Sequence, residues 1–254
     1  PMNDASDLDP SVATGIDRLL SVQRPVVLAH IRSIRARHPE ASPDRIIAIL
    51  EKRFLAAVTA GGAAVGASAV IPGIGTGVSL ALTGVETAGF LEASALFAQS
   101  ITEVHGITVD DPARARALVM TMMLGAPGAQ VIQQFTGQFS GQPVDRNANW
   151  GRAITSGLPS FAIGPVADRI KHAFLKRFVL NQGASALGRA VPFGIGAVIG
   201  GAGNRMLGNK IVSSSRQAFG PAPATFPEEL GVPEKKPRVI RVAEKKAEKR
   251  SGAR

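Results

Sequence analysis

The chain has 254 residues, with no cysteine, no tyrosine, 28 glycines, 17 prolines and a formal charge of +10. Zero cysteine excludes disulfides, thiolate metal sites, iron–sulfur ligation and cysteine nucleophiles. The charge is uneven, with +7 inside residues 235–254 and +3 spread over 1–234, so it describes an appendage and does not make the body a nucleic-acid binder.

The acidic start, PMNDASDLD, has no positive n-region and no apolar h-region, so residues 1–10 read as a flexible N-terminus and not as a signal peptide. From Ser11 to about Arg37 the periodicity is helical, with a break at Arg24-Pro25 and with Val27, Ile31 and Ile34 on one face. Ser42-Pro43-Asp44 supplies an N-cap, an N1 proline and an acidic first turn for the next helix.

Residues 54–85 carry no charge at all. A run of that length would cross a bilayer, which takes about 20 apolar residues, but it is rich in Ala and Gly and is cut by Ile71-Pro72-Gly73. The pattern predicts two helices, roughly 43–70 and 77–103, joined by a tight PGIGTG turn. Gly62 and Gly66, and Gly73 and Gly77, are spaced four apart, so helix backbones can approach closely there, whether in lipid or in a soluble bundle. The second helix carries Glu86 and Glu92 in apolar surroundings. They sit about 120° apart on the helix and do not form a paired-carboxylate site. Within lipid they would be costly and therefore functional, while the stripe Glu92, Leu96, Gln99 and Glu103 reads as a solvated edge.

Asp111-Pro112 caps a helix through Ala115, Leu118, Val119, Met122 and Met123, stopped at Gly125-Ala126-Pro127-Gly128. A short segment then leads into a Gly/Gln-rich loop around 137–149, with the single tryptophan, Trp150, behind it as an anchor to the body or to a membrane interface. A helix over 163–182 places Arg169, His172 and Lys176 in a basic row beside Val166, Ile170, Phe174 and Phe178, the profile of an interfacial helix and equally of a solvated bundle face. Pro192, Gly196 and Gly200 repeat the style of the first apolar unit, and Asn204 follows them as a candidate functional polar residue. The expected fold is thus all-α, a helical bundle over 11–219 with two Gly-rich apolar helical hairpins. Residues 220–254 read as a disordered basic tail that includes Lys235, Lys236, Lys245 and Lys246.

No catalytic template is assembled. The four histidines are scattered, there is no Gly-x-Ser-x-Gly elbow, and the nearest P-loop match has Asn209 where lysine is required. Neither an enzyme nor a cofactor or metal site is expected.

Three blocks carry a resemblance: the Ala/Gly helix with IPGIGTG, the run EVHGITVDDPARARALVMTMMLGAPG, and RAVPFGIGAVIGGAGNRMLGNKIVSSSRQAF. Together they resemble the EcsC family of bacterial proteins over about two thirds of the chain, with His105 standing where the family pattern has an aromatic residue. The resemblance implies association with the cytoplasmic membrane and with a membrane complex such as an ABC exporter. The residues agree, since a glycine-zipper hairpin, a basic amphipathic helix and a cationic tail all suit an anionic membrane surface. The expected protein is non-enzymatic and sits at the cytoplasmic face of the cell membrane, peripheral or partly inserted. Sequence-specific nucleic acid is not an expected partner, and self-association is left open. A soluble all-α interaction module recruited by its tail is the alternative, and a conditionally inserting, pore-forming protein ranks below it.

Overall fold

Local punctuation decides where each helix begins and ends. The computed structural model describes residues 10–68, 76–140, 150–188 and 195–231, and among these the regular structure is helical, with no strand. Helix α1 spans Pro10–Leu19, and α2 spans Arg24–Arg37 with Pro25 in its first turn. Helix α3 (Pro43–Ser68) follows the Ser42-Pro43 signal, and α4 spans Thr76–Val104. Helix α5 (Pro112–Leu124) is capped by Asp111, whose carboxylate accepts from the Ala113 N–H at 2.8 Å. Gly125, at φ +68, ends it.

Helix α6 (Ala126–Ser140) starts at once, so residues 137–140 continue a helix where a polar loop was expected. Pro127 in its first turn needs no N–H partner, which makes the stop signal also a start. Trp150–Arg152 (α7) runs into a π-helical turn, Ala153–Gly157. Its free carbonyls are met by Arg114, which donates to Ile154 O at 2.8 Å and to Leu158 O at 2.7 Å. Helices α8 (Ser160–Gly188) and α9 (Ile195–Phe219) complete the bundle.

Helix α5 is the hub. Ala115, Ala117, Leu118, Val119, Met120, Met122 and Leu124 are all buried, so it is apolar around its circumference as a central helix must be. Helices α4, α6, α8 and α9 pack around it. On the α9 side lies α3, whose tightest partner is α9 and whose next is α4. The close glycine packing thus joins one helix from each apolar unit. The connections expected at Pro72-Gly73 and at Pro192 lie outside the described residues, as do Lys235, Lys236, Lys245 and Lys246.

Two ion pairs and one packed segment hold the polar end of the bundle. Arg24 of α2 grips Glu103 of α4 through Nε at 2.6 Å and Nη2 at 3.1 Å, and Glu103 is only 7% exposed. The solvated edge expected on α4 therefore holds at Glu92 and fails at Glu103. Arg216 of α9 grips buried Glu51 of α3 through the same two-pronged geometry, at 2.8 and 2.6 Å. Beyond α9, residues 220–231 were expected to belong to a disordered tail. Instead they run back along α2. Phe226 lies under the Arg35 guanidinium at 3.8 Å, Leu230 is fully buried, and Arg32 and Arg35 donate to the carbonyls of Glu229 and Leu230. Two apolar anchors and three hydrogen bonds from neighbouring arginines to two backbone carbonyls hold this proline-rich strap.

Glycine tolerance separates close approach from open surface. A Cβ on Gly62 would lie 2.5 Å from Gly200 O, whereas at the adjacent Gly61 nothing lies within 4 Å. Gly62→Ala is expected to lower stability by about 1–3 kcal/mol through overpacking, and Gly61→Ala to raise it by about 0.5–1 kcal/mol through helix propensity. Urea unfolding of both variants checks the contrast.

Candidate functional site

Helices α3 and α9 run antiparallel, as three successive contacts show. Gly62 and Ala63 face Gly200 and Gly201, Leu55 and Val58 face Gly208, and Glu51 meets Arg216. At Gly208 a Cβ would stand 2.9 Å from Leu55 Cδ2, so this glycine also admits the neighbouring helix. Helix α4 is antiparallel to α3 in turn: Phe54 stacks on Phe97 with centroids 4.6 Å apart, and His105 at its end stacks on Phe219 at the end of α9.

The seam between the three helices holds Asn204. Its Nδ2 donates to Val58 O at 3.1 Å and to Glu86 Oε1 at 3.0 Å, tying α9 to both α3 and α4. The geometry explains the glycine at 62: a Cβ there would lie 2.7 Å from Asn204 Nδ2 and would push the carboxamide out of reach. Gly62, Gly200, Asn204 and Glu86, four residues singled out from sequence, are thus brought to one place. Glu92 points to solvent on α4 and takes no part. Gly66, Gly77 and Gly196 lie within α3, α4 and α9. On α8, Arg169 and Lys176 are exposed, as the basic row requires, and the Arg169 guanidinium lies 5.9 Å from the Phe135 ring centre.

The contacts that Asn204 makes at the junction are hydrogen bonds. Among the described residues no group of three His, Asp or Glu side chains could hold a metal ion, and no helix is long and apolar enough to cross a membrane. A small recess near the α2–α4 contact is lined by Arg24, Gln99, Thr102, Glu103 and Leu118, and belongs to the Arg24–Glu103 pair. That pair raises the pKa of Arg24, chiefly through the Glu103 hydrogen bond, and Glu51 raises that of Arg216 in the same way.

His105 fills the position where an aromatic was expected, and it serves as one. It stacks on Phe219 with centroids 5.1 Å apart, while Nδ1 lies 2.8 Å from Ile101 O. Burial lowers its pKa below 6.5. Trp150 anchors to the body: it is 4% exposed, and the adjacent Gly151 abuts Phe219. Comparison with protein-family models, with curated proteins and with solved structures found no match.

Two outcomes follow from this geometry. Asn204→Ala should destabilise by about 1–3 kcal/mol, because Glu86 loses a half-buried hydrogen bond, and a double-mutant cycle with Glu86→Ala should show coupling between the two sites. His105, with its folded pKa lowered, favours the folded state fully above pH 6.5 and loses that contribution as pH falls toward the folded value. Denaturation between pH 7 and pH 5 should therefore show a decline that is shallower in His105→Phe, which keeps the ring stack.

Proposed function

We propose that this protein is a non-enzymatic, membrane-associated helical protein that works at the cytoplasmic face of a bacterial membrane as an accessory to a membrane complex such as an ABC exporter. The observation that supports this reading is the segregation of charge along the bundle. Because α3 is antiparallel to both α4 and α9, the end of α3 and the beginnings of α4 and α9 share one end of the molecule. The helical stretches 54–68, 76–85 and 195–204 contain no charged residue. The Glu51–Arg216 and Glu103–Arg24 pairs, with the strap, all lie toward the opposite end.

An end without charge is poorly matched to water. On it Ala56, Ala57, Ala60, Gly61 and Ala64 of α3 are exposed, and Val85 of α4 is 70% exposed. Apolar surface of this kind gains by transfer to a less polar phase. The resemblance to the EcsC family belongs to the same proposal. The reading as a soluble all-α module recruited by its basic tail draws on a different observation, the use of Gly62, Gly201 and Gly208 for packing inside the protein.

Cell fractionation separates the two. The membrane reading expects the protein to sediment with membranes at low salt, and recovery wholly in the soluble fraction under that condition would contradict it.

A further inference from the structure

Resting on the membrane reading above, we infer that the uncharged end of the bundle inserts into the membrane from one side, with a ring of basic residues around it seated on anionic phospholipid headgroups. Three helices define the ring by where their charge begins. On α3 the last charges before the uncharged stretch are Lys52 and Arg53, and on α9 the first after it are Arg205 and Lys210. On α8 they are Lys176 and Arg177, beyond which 178–188 is uncharged. Of these six side chains, five are exposed and Arg53 is partly so.

The six lie at two levels, since the Phe54–Phe97 stack sets Lys52 and Arg53 about 10 Å farther from the uncharged end than the Glu86 to Leu91 level of α4. The α3–α9 seam sets Leu55 and Val58 beside Gly208, so Arg53 and Lys210 stand level, with Arg205 about one turn nearer the uncharged end. Helix α8 starts beside the N-terminus of α5, where Arg114 holds Leu158 O, and it packs along α5. Lys176 is about 24 Å along it at 1.5 Å per residue, which matches the height of Glu86 to Leu91 on α4 counted back from the same level.

The acidic residues at these levels are Glu86 and Glu92 of α4 and Glu51 of α3, the last held by Arg216. Glu86 is tied inward to Asn204, and Glu92 faces solvent, so basic groups outnumber acidic ones around the ring. Met206, 58% exposed, and Leu207 sit directly among these cations on α9. Cations with apolar neighbours suit the boundary between headgroups and acyl chains, where long basic side chains reach phosphate while their stems stay in the apolar layer.

Depth points the same way. From the ring to the helix ends, α4, α8 and α9 extend about 15 Å and α3 about 22 Å at 1.5 Å per residue. The hydrocarbon core is about 30 Å thick. The described helices of the uncharged end therefore reach the middle of the bilayer or somewhat beyond it, short of its far side.

The test uses the full chain and vesicles of phosphatidylcholine alone or mixed with phosphatidylglycerol. Because the protein has no cysteine, Ala64→Cys and Ser213→Cys carry single fluorophores at exposed positions of α3 and of the far part of α9. Expected are preferential binding to the anionic vesicles, quenching of the Ala64 label by lipid-borne quencher, and access of aqueous quencher to the Ser213 label. Lys176→Glu, Arg177→Glu, Arg205→Glu and Lys210→Glu combined should weaken binding more than tenfold at low salt, since each basic residue near such a surface contributes about fivefold. If the protein binds vesicles while the Ala64 label stays in water, or binds equally well with the four charges reversed, this mode of insertion is overturned and membrane association stands. If it binds neither vesicle, both fall. Equal or tighter retention on duplex DNA at the same ionic strength, lost in the reversed variant, would reassign the ring to nucleic acid and overturn the inference.

Discussion

The closeness of α3 to α9 is the constraint on which the rest of the bundle depends. With no Cβ at Gly62 or Gly208, the two backbones come near enough for a side chain of one methylene and a carboxamide to span the gap. Asn204 then reaches Val58 O and Glu86 together, and α4 is fixed against the pair. A larger residue at Gly62 would move the helices apart and break a bond between three elements, because packed interiors have little free volume to absorb the change.

The direction of these helices follows from the same seam. Antiparallel packing collects two uncharged stretches, distant in sequence, at one end, and leaves the charged segments for the other. At the charged end, Glu51 and Glu103 are buried, and each is held by a two-pronged arginine. Such pairing offsets the cost of burying a carboxylate. The strap adds a further contact there: Leu230 and Phe226 pack on α2, while Arg32 and Arg35 satisfy backbone carbonyls that would otherwise face a crowded surface. The asymmetry of the molecule therefore comes from topology acting on a sequence already divided into charged and uncharged blocks.

Local features were legible in the sequence and long-range pairings were not. The Asp111 cap, the prolines opening α2, α3 and α5, and the buried trio Val27, Ile31 and Ile34 all rest on interactions within one or two turns. Glu92 and Glu103 look alike on α4, yet one is solvated and the other buried, because only Glu103 meets Arg24, 79 residues away. Gly62 was read as a point of close helix approach with no partner named, and the atoms it admits belong to α9. For residues 220–231, proline content argued for disorder, and the signal that counted was the pair of apolar anchors, Phe226 and Leu230. At the candidate site, Glu86 and Asn204 were each visible as polar residues in apolar runs, and their mutual bond required the fold.

The account's central claim is that charge is divided along the bundle axis so that one end meets the membrane. Hydrogen exchange of the backbone, measured with and without anionic vesicles, addresses it most directly. The account predicts added protection confined to the far parts of α3 and α8 and the first parts of α4 and α9, with α2 and α5 unchanged. Protection appearing instead on α2 and the strap, or nowhere, would contradict it.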